Sequence, residues 1–278
     1  MKTEDAKLAV VVGAGAMGAA ITRRLARHYR VLVADLDGER AEALAAQLRE
    51  DGKSAFGLQC DVTNADSVAA LARRVRGEGG LNALVQVAGL SPSMGDFDQI
   101  LRVNLFGPSL VSSALLPEIR PGAAAIMIAS LAAHMCSFGL PIEAVLREHA
   151  SDYDLPERLR ALIGGEQTTS NTAYQLSKFG LVMFCRRSAA QWGARGGRIL
   201  SLSPGLIATP MGNLESASNP AKQKLFEMAP QKREGTMDEI ADAVEFLLSD
   251  RAAFISGTDL LVDGGLAGTL TDVPFRAP

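Results

Sequence analysis

The chain has 278 residues, with 28 Lys and Arg against 31 Asp and Glu, 47% apolar residues and a formal net charge of −3. This composition excludes a disordered or collagen-like chain, and the evenly spread charge offers no footprint for nucleic acid or an anionic membrane. Cys60, Cys136 and Cys185 are scattered with no CxxC pair, and His28, His134 and His149 share no ligand spacing, which argues against a disulfide frame and a metal site. Met1-Lys2-Thr3-Glu4-Asp5 carries acids where a secretion signal carries bases, so a reducing, cytoplasmic setting and a small-molecule partner are expected.

At about 150 residues per domain the length suits one or two domains. The first apolar run, 8–12, predicts a strand, and Gly13-Ala14-Gly15-Ala16-Met17-Gly18 follows it at once, opening a helix over 17–29. In that context the glycines permit a sharp turn, close approach to a pyrophosphate and tight helix–strand packing, with the phosphate at the helix N-terminus. A strand at 31–34 ends in Ala34-Asp35-Leu36. Asp35 is placed to accept hydrogen bonds from an adenosine ribose diol and to repel a 2′-phosphate, while Leu36 offers such a phosphate nothing. Asp37 reads as the N-cap of a helix over 38–50.

Further strands are expected at 54–60, 83–87, 124–129, 198–202 and 259–262, and further helices at 65–76, 96–116, 172–192 and 237–248. Continuous apolar strands separated by helices predict a single α/β domain, a doubly wound parallel sheet of about seven strands with helices on both faces. Residues 121–142 lack charge over 22 positions, long enough to cross a bilayer, but their prolines, glycines and serines read as a buried strand followed by a loop. The alternation breaks at 135–171, where 142–150 and 156–163 predict short helices inserted before the next long one. A connection this long is either a cap over the substrate mouth or a surface excursion serving assembly.

Helix 172–192 carries Tyr174-Gln175-Leu176-Ser177-Lys178, whose four-residue spacing stacks phenol and ammonium on one face. The ammonium is expected to lower the phenol from its free value of about 10, as a proton donor to a carbonyl or a base for an alcohol requires.

Around that pair stand, in chain order, Cys60-Asp61-Val62, Val87-Ala88-Gly89, Val103-Asn104-Leu105, Ser130, Ser203-Pro204-Gly205-Leu206-Ile207-Ala208-Thr209 and Val262-Asp263-Gly264-Gly265. With these motifs the chain resembles the short-chain dehydrogenase/reductase family everywhere except 135–171. The resemblance implies an NAD(H)-dependent oxidoreductase interconverting a secondary alcohol and a ketone, NADP(H) being the less favoured cofactor. It implies Tyr174 as general acid/base, Lys178 holding the nicotinamide ribose, Ser130 orienting the substrate oxygen, and Asn104 bending its helix and supporting a proton relay. Gly13, Gly15, Met17 and Gly18 would form the pyrophosphate loop, with Asp35 and Leu36 beside the adenosine ribose. Asp61 and Val62 would border the adenine, Ala88 and Gly89 would pass under the cofactor, and Pro204, Gly205, Ile207 and Thr209 would hold the carboxamide.

Three departures from the family pattern stand out. Met17 replaces a glycine and Gly18 restores the ordinary dinucleotide spacing; Gln86-Val87-Ala88-Gly89 replaces the usual Asn-Asn-Ala-Gly; and Ser130 lies 44 residues before Tyr174 where about a dozen is usual. Leu90, Leu131, Met135, Leu206 and Met211 suggest a hydrophobic or cyclic substrate. A non-catalytic, dinucleotide-sensing regulator on the same fold is the alternative, and the direction of reaction is open. The resemblance also implies a homodimer or homotetramer, formed through 96–116, 172–192 and the C-terminal strand.

Overall fold

A computed structural model of the chain describes residues 7–208 and 220–271. Its elements are β1 (Leu8–Val12), α1 (Ala16–Leu25), β2 (Arg30–Asp35), α2 (Gly38–Glu50), β3 (Ala55–Gln59), α3 (Ala65–Gly77) and β4 (Leu81–Gln86). Then come α4 (Phe97–Leu101), a π-helical turn (Arg102–Phe106), α5 (Gly107–Leu115), β5 (Ile119–Ile128), α6 (Leu140–Glu148), α7 (Leu155–Ile163) and α8 (Ser170–Gly193). The last are β6 (Arg198–Pro204), α9 (Pro220–Met228), α10 (Met237–Leu248), β7 (Asp259–Val262) and α11 (Leu266–Thr271).

The strands form one parallel sheet in the order β3-β2-β1-β4-β5-β6-β7. Strand order reverses between β1 and β4, and ligands of such sheets bind in the crevice beyond the strand ends at that switch. The strands are apolar on both sides because each side is covered. Val10 and Val12 join Val68 of α3, Val111 of α5 and Leu176 of α8 in one core. Ala9 and Val11 join Ile21 of α1, Leu44 of α2 and Ile240 of α10 in the other.

Helix starts follow local chemistry. Asp37 caps α2, Asn64 caps α3, Asp96 and Gln99 form a capping box on α4, Thr169 caps α8, and Thr236 with Glu239 boxes α10. By contrast α1 starts at Gly15 with no side-chain cap, and no acid stands in its first turn. The predicted helix 96–116 is interrupted at Arg102–Phe106, where the π-helical turn widens the coil around Asn104. This helical stretch, Phe97–Glu118, is long and apolar enough to cross a membrane, yet 61% of its apolar 18-residue window is buried inside the protein. The chargeless stretch 121–142 runs through β5 and a loop into the start of α6.

Residues 135–171 hold α6 and α7, and their apolar sides turn onto the chain's own helix layer. Leu146, Leu155 and Leu159 are fully buried in the α3/α5/α8 core. Gly180 of α8 makes room for them: a Cβ there would lie 2.6 Å from Leu105 and 3.1 Å from Leu146. Ser109 Oγ donates to Ala150 O at 3.0 Å, Arg102 pairs with Glu157 at 2.8 Å, Arg160 pairs with Asp98, and Tyr153 meets Phe106 edge-on at 5.6 Å. The inserted helices thus rest on the chain's own helices, where the sequence left the segment as either a cap or an excursion serving assembly. α6 packs on α8, and α7 packs on α4 and the π-helical turn.

Candidate active site

At the dinucleotide end, Gly13 has φ 108°, and a Cβ there would lie 2.6 Å from the backbone nitrogen of Ala88. Its neighbour Gly18 is packed more tightly still, since a Cβ would fall 1.8 Å from Gly13 O. Beside Gly15 a Cβ would meet nothing within 4 Å. The loop is thus closed against the protein and open above α1, where uncapped N–H groups face outward, a cradle suited to a pyrophosphate. Met17, in place of the family's glycine, is partly buried against the α1/α2/α10 core and leaves this geometry intact.

Asp35 does more than the sequence suggested. Its Oδ2 accepts from Ala14 N at 2.6 Å and its Oδ1 from Asp37 N at 2.9 Å, so the carboxylate pins the glycine loop to the end of β2. Arg40 Nη1 lies 4.0 Å from Asp35 Oδ1 and its Nη2 3.3 Å from Asp37. Sequence reasoning overlooked this cation, although its place in the first turn of α2, three residues after the cap, was the available signal. Leu36 is 66% exposed. Asp61 Oδ1 accepts from Thr63 N and Oγ1, and Val62 packs on Gly107, which fixes both beyond β3. Gly89 is exposed at the end of β4, while Val87 N and Ala88 N both donate to Val12 O at 2.8 Å.

Gly205, after Pro204, lies against Asp263, and Ile207 bridges to Gly235. A cavity of about 370 Å3 behind this loop is lined by Ile207 and Asp263 but by none of Ser130, Tyr174 or Lys178, so it lies beside the reacting groups. Thr209 and Met211 lie outside the described residues. Among the other residues expected at the substrate, Leu131 is buried with Leu206 and Leu266, Leu90 is partly buried, and Met135 is 43% exposed.

The four residues expected to carry proton transfer meet despite the 44-residue gap. Ser130 lies just beyond β5, and its side chain hydrogen-bonds Tyr174 near the start of α8. One turn on, Lys178 Nζ donates to Ile128 O at 2.9 Å and lies 5.8 Å from the centre of the Tyr174 ring. A Cβ on Gly89 would come 3.1 Å from Asn104 Oδ1 and 3.6 Å from Lys178 Nζ, so the glycine makes room for Asn104 and leaves Lys178 in ordinary contact. Asn104 is fully buried and clasps one residue at both ends: Oδ1 accepts from Leu90 N at 2.7 Å and Nδ2 donates to Leu90 O at 2.9 Å. Its Nδ2 also reaches Ser177 Oγ at 3.4 Å.

The electrostatics correct one expectation. Burial pushes the Tyr174 phenol up, and the opposing pull comes from its hydrogen bond with Ser130. Lys178 is itself lowered by burial to about 8. Desolvation is the largest cause for both groups and Lys178 is not among the causes acting on Tyr174, so in this state the lysine does not bring the phenol down.

A family model described as short chain dehydrogenase matches residues 7–142, and one described as enoyl-(acyl carrier protein) reductase matches 160–267. The chain is 36% identical over 273 residues to a D-threitol dehydrogenase of Mycolicibacterium smegmatis, covering 94% of this chain and 93% of that protein. It is 32% identical to the short-chain dehydrogenase/reductase bsc3 of Alternaria brassicicola, covering 94% and 96%. The crystal structure of gox2181 superposes with a TM-score of 0.75 at 26% identity, covering 95% of this chain and 96% of the other. With the parallel sheet, the glycine loop and the Ser130, Tyr174 and Lys178 grouping, these matches establish that the chain belongs to the short-chain dehydrogenase/reductase family and is an oxidoreductase of the kind that uses a nicotinamide dinucleotide.

Proposed function

We propose that the protein interconverts a secondary alcohol and a ketone with NAD(H), Tyr174 moving the proton. The observation that carries this reading is the convergence of Ser130, Tyr174 and buried Lys178 beside Gly89 and Asn104. A sensor with no reaction to run has no use for an ammonium buried until its pKa falls to about 8.

The cradle over α1, the open face of Gly15 and the ends of β4 and β6 fit a dinucleotide, with Gly13, Gly15 and Gly18 at its pyrophosphate and Lys178 at the nicotinamide ribose. When bound, the nicotinamide supplies the hydride acceptor or donor. Ser130 Oγ already accepts from Ala132 N at 3.2 Å, and its single hydrogen, given to the Tyr174 oxygen in this state, can turn to a substrate oxygen when one is bound. In oxidation Tyr174 takes the hydroxyl proton from that oxygen; in reduction its phenol delivers one. Because burial raises the phenol, oxidation should accelerate as pH rises and reduction should slow, a trend that initial rates in both directions will check.

NAD(H) is favoured over NADP(H) because Asp35, only 12% exposed, sets a carboxylate where a 2′-phosphate would have to sit. Arg40 does not reverse this, since it is paired with Asp35 and Asp37. The substrate class is a hydrophobic or cyclic secondary alcohol, supported by partly buried Leu90 and exposed Met135, while the D-threitol dehydrogenase relative makes a polyol the competing class. For assembly, the reading keeps β7, the sheet's edge strand, where Leu260 and Leu261 are each 36% exposed. The test is incubation with NAD+ or NADP+ and either cyclohexanol or D-threitol, read by absorbance of the reduced nicotinamide. Equal or better efficiency with NADP+ refutes the cofactor assignment, and no reduction with either alcohol refutes the reaction.

A further inference from the structure

Between the sheet edge and α8 lies a polar cluster that the reaction just described does not use. Asp259, the first residue of β7, has a side chain only 3% exposed. Its Oδ2 meets His134 Nε2 at 2.8 Å and its Oδ1 accepts from Ser203 Oγ at 3.1 Å. A carboxylate can only accept, so Nε2 carries the hydrogen and His134 donates. Leaving a buried carboxylate without its partner is strongly destabilising, which makes this contact hard to give up.

What the carboxylate ties together is informative. His134 ends the short 3-10 turn Leu131–His134, and Ser130 begins it: Ser130 Oγ accepts from Ala132 N, and Ser130 O accepts from Ala133 N at 2.9 Å. On the other side Ser203 immediately precedes Pro204 and Gly205. One buried charge therefore anchors both the turn that presents Ser130 and the strand end that leads into the expected carboxamide loop. His134 and Asp259 are 125 positions apart, so no sequence spacing announces them.

We propose that His134 and Asp259 are positioning residues for Ser130, holding the turn so that its hydroxyl stays within reach of both Tyr174 and the substrate oxygen. This rests on the reading of Ser130 and Tyr174 given above. A turn released at its far end lets Ser130 drift, and a displacement of about 1 Å at such a group costs up to about 10²-fold in rate.

The experiment measures oxidation of cyclohexanol by NAD+, with kcat expressed per NADH-binding site so that misfolded protein does not count. His134→Ala is expected to lower kcat at least about 10-fold while NADH affinity stays within about twofold. His134→Gln, which keeps a donor at a similar reach, should recover most of the loss. In a Ser130→Ala background the His134→Ala effect should vanish, because the two act as one unit. If His134→Ala does not fold, His134→Asn, with a shorter amide, takes its place under the same criteria. An unchanged kcat, no recovery with Gln, or an undiminished effect in the Ser130→Ala background overturns the proposal. A wild-type protein inert toward cyclohexanol is assayed with D-threitol under the same criteria; one inert toward both removes the reaction reading, and the positioning role falls with it, whereas an active wild type without the coupling removes only the positioning role.

Discussion

Around β1 and β2 the site is made of backbone brought to close approach, whereas around β5 and α8 it is made of polar side chains held out of water. Gly13, Gly15 and Gly18 act by having no side chain, and the helix they introduce is left uncapped. Tyr174, Lys178 and Asn104 act through groups whose burial shifts or satisfies them: the phenol is raised, the ammonium lowered, and the amide is taken up at both ends by Leu90. The difference teaches that the first region binds and the second reacts. A void for phosphates needs no tuned charges, whereas proton transfer needs groups taken away from their aqueous behaviour.

Substitutions on each side should therefore fail in different ways. Tyr174→Phe removes the proton carrier and should cost at least about 10²-fold in kcat with NAD+ affinity nearly intact, as steady-state kinetics and dinucleotide titration will show. Gly18→Ala drives a methyl group into Gly13 O, so dinucleotide affinity should fall about 10-fold and stability by about 1–3 kcal/mol, measured by titration and denaturant unfolding. Lys178→Met should abolish turnover and yet raise Tm by about 2 °C or more, because a buried charge is replaced by an apolar chain of similar length. The sign follows from linkage. The folded lysine titrates near 8, below its ordinary value of 10.5, so between those pH values the unfolded chain binds more protons and wild-type stability rises with pH. The Met variant should lose that rise. The smallest effect is expected at exposed Leu36, where Leu36→Arg adds a surface cation and should improve NADP+ efficiency about fivefold, the scale of about 1 kcal/mol for an exposed ion pair.

How legible each region was follows the same division. All seven strands were readable, the inner ones because a strand covered on both faces shows as an apolar run, as in Leu8–Val12, and the partly exposed edge strands β3 and β7 by their place in the alternation with helices. The glycine loop was readable because its contacts are local, and Tyr174 with Lys178 because one helical turn fixes their spacing. The short α9 and α11 were missed: α11, only six residues long, is too brief for a periodic signal, and its start is set by Asp263, whose carboxylate accepts from Gly265 N and Ala267 N. Arg40 beside Asp35 and the π turn at Asn104 depend on how α2 and α4 settle on the sheet. The direction of the Tyr174 shift was misread because spacing reveals a neighbour's charge but not the burial that outweighs it. The resting place of α6 and α7 was illegible for a related reason. Their amphipathic pattern shows that one side must be covered, and only the fold shows that α8 covers α6 while α4 and the π-helical turn cover α7.

The most direct test of hydride transfer through Tyr174 uses cyclohexanol carrying deuterium at its carbinol carbon. Mass spectrometry of the dinucleotide after turnover should find the deuterium on the reduced nicotinamide with the wild-type protein, accumulating at least about 10²-fold more slowly with Tyr174→Phe. Reduced cofactor without deuterium, or equal accumulation with Tyr174→Phe, would contradict the account.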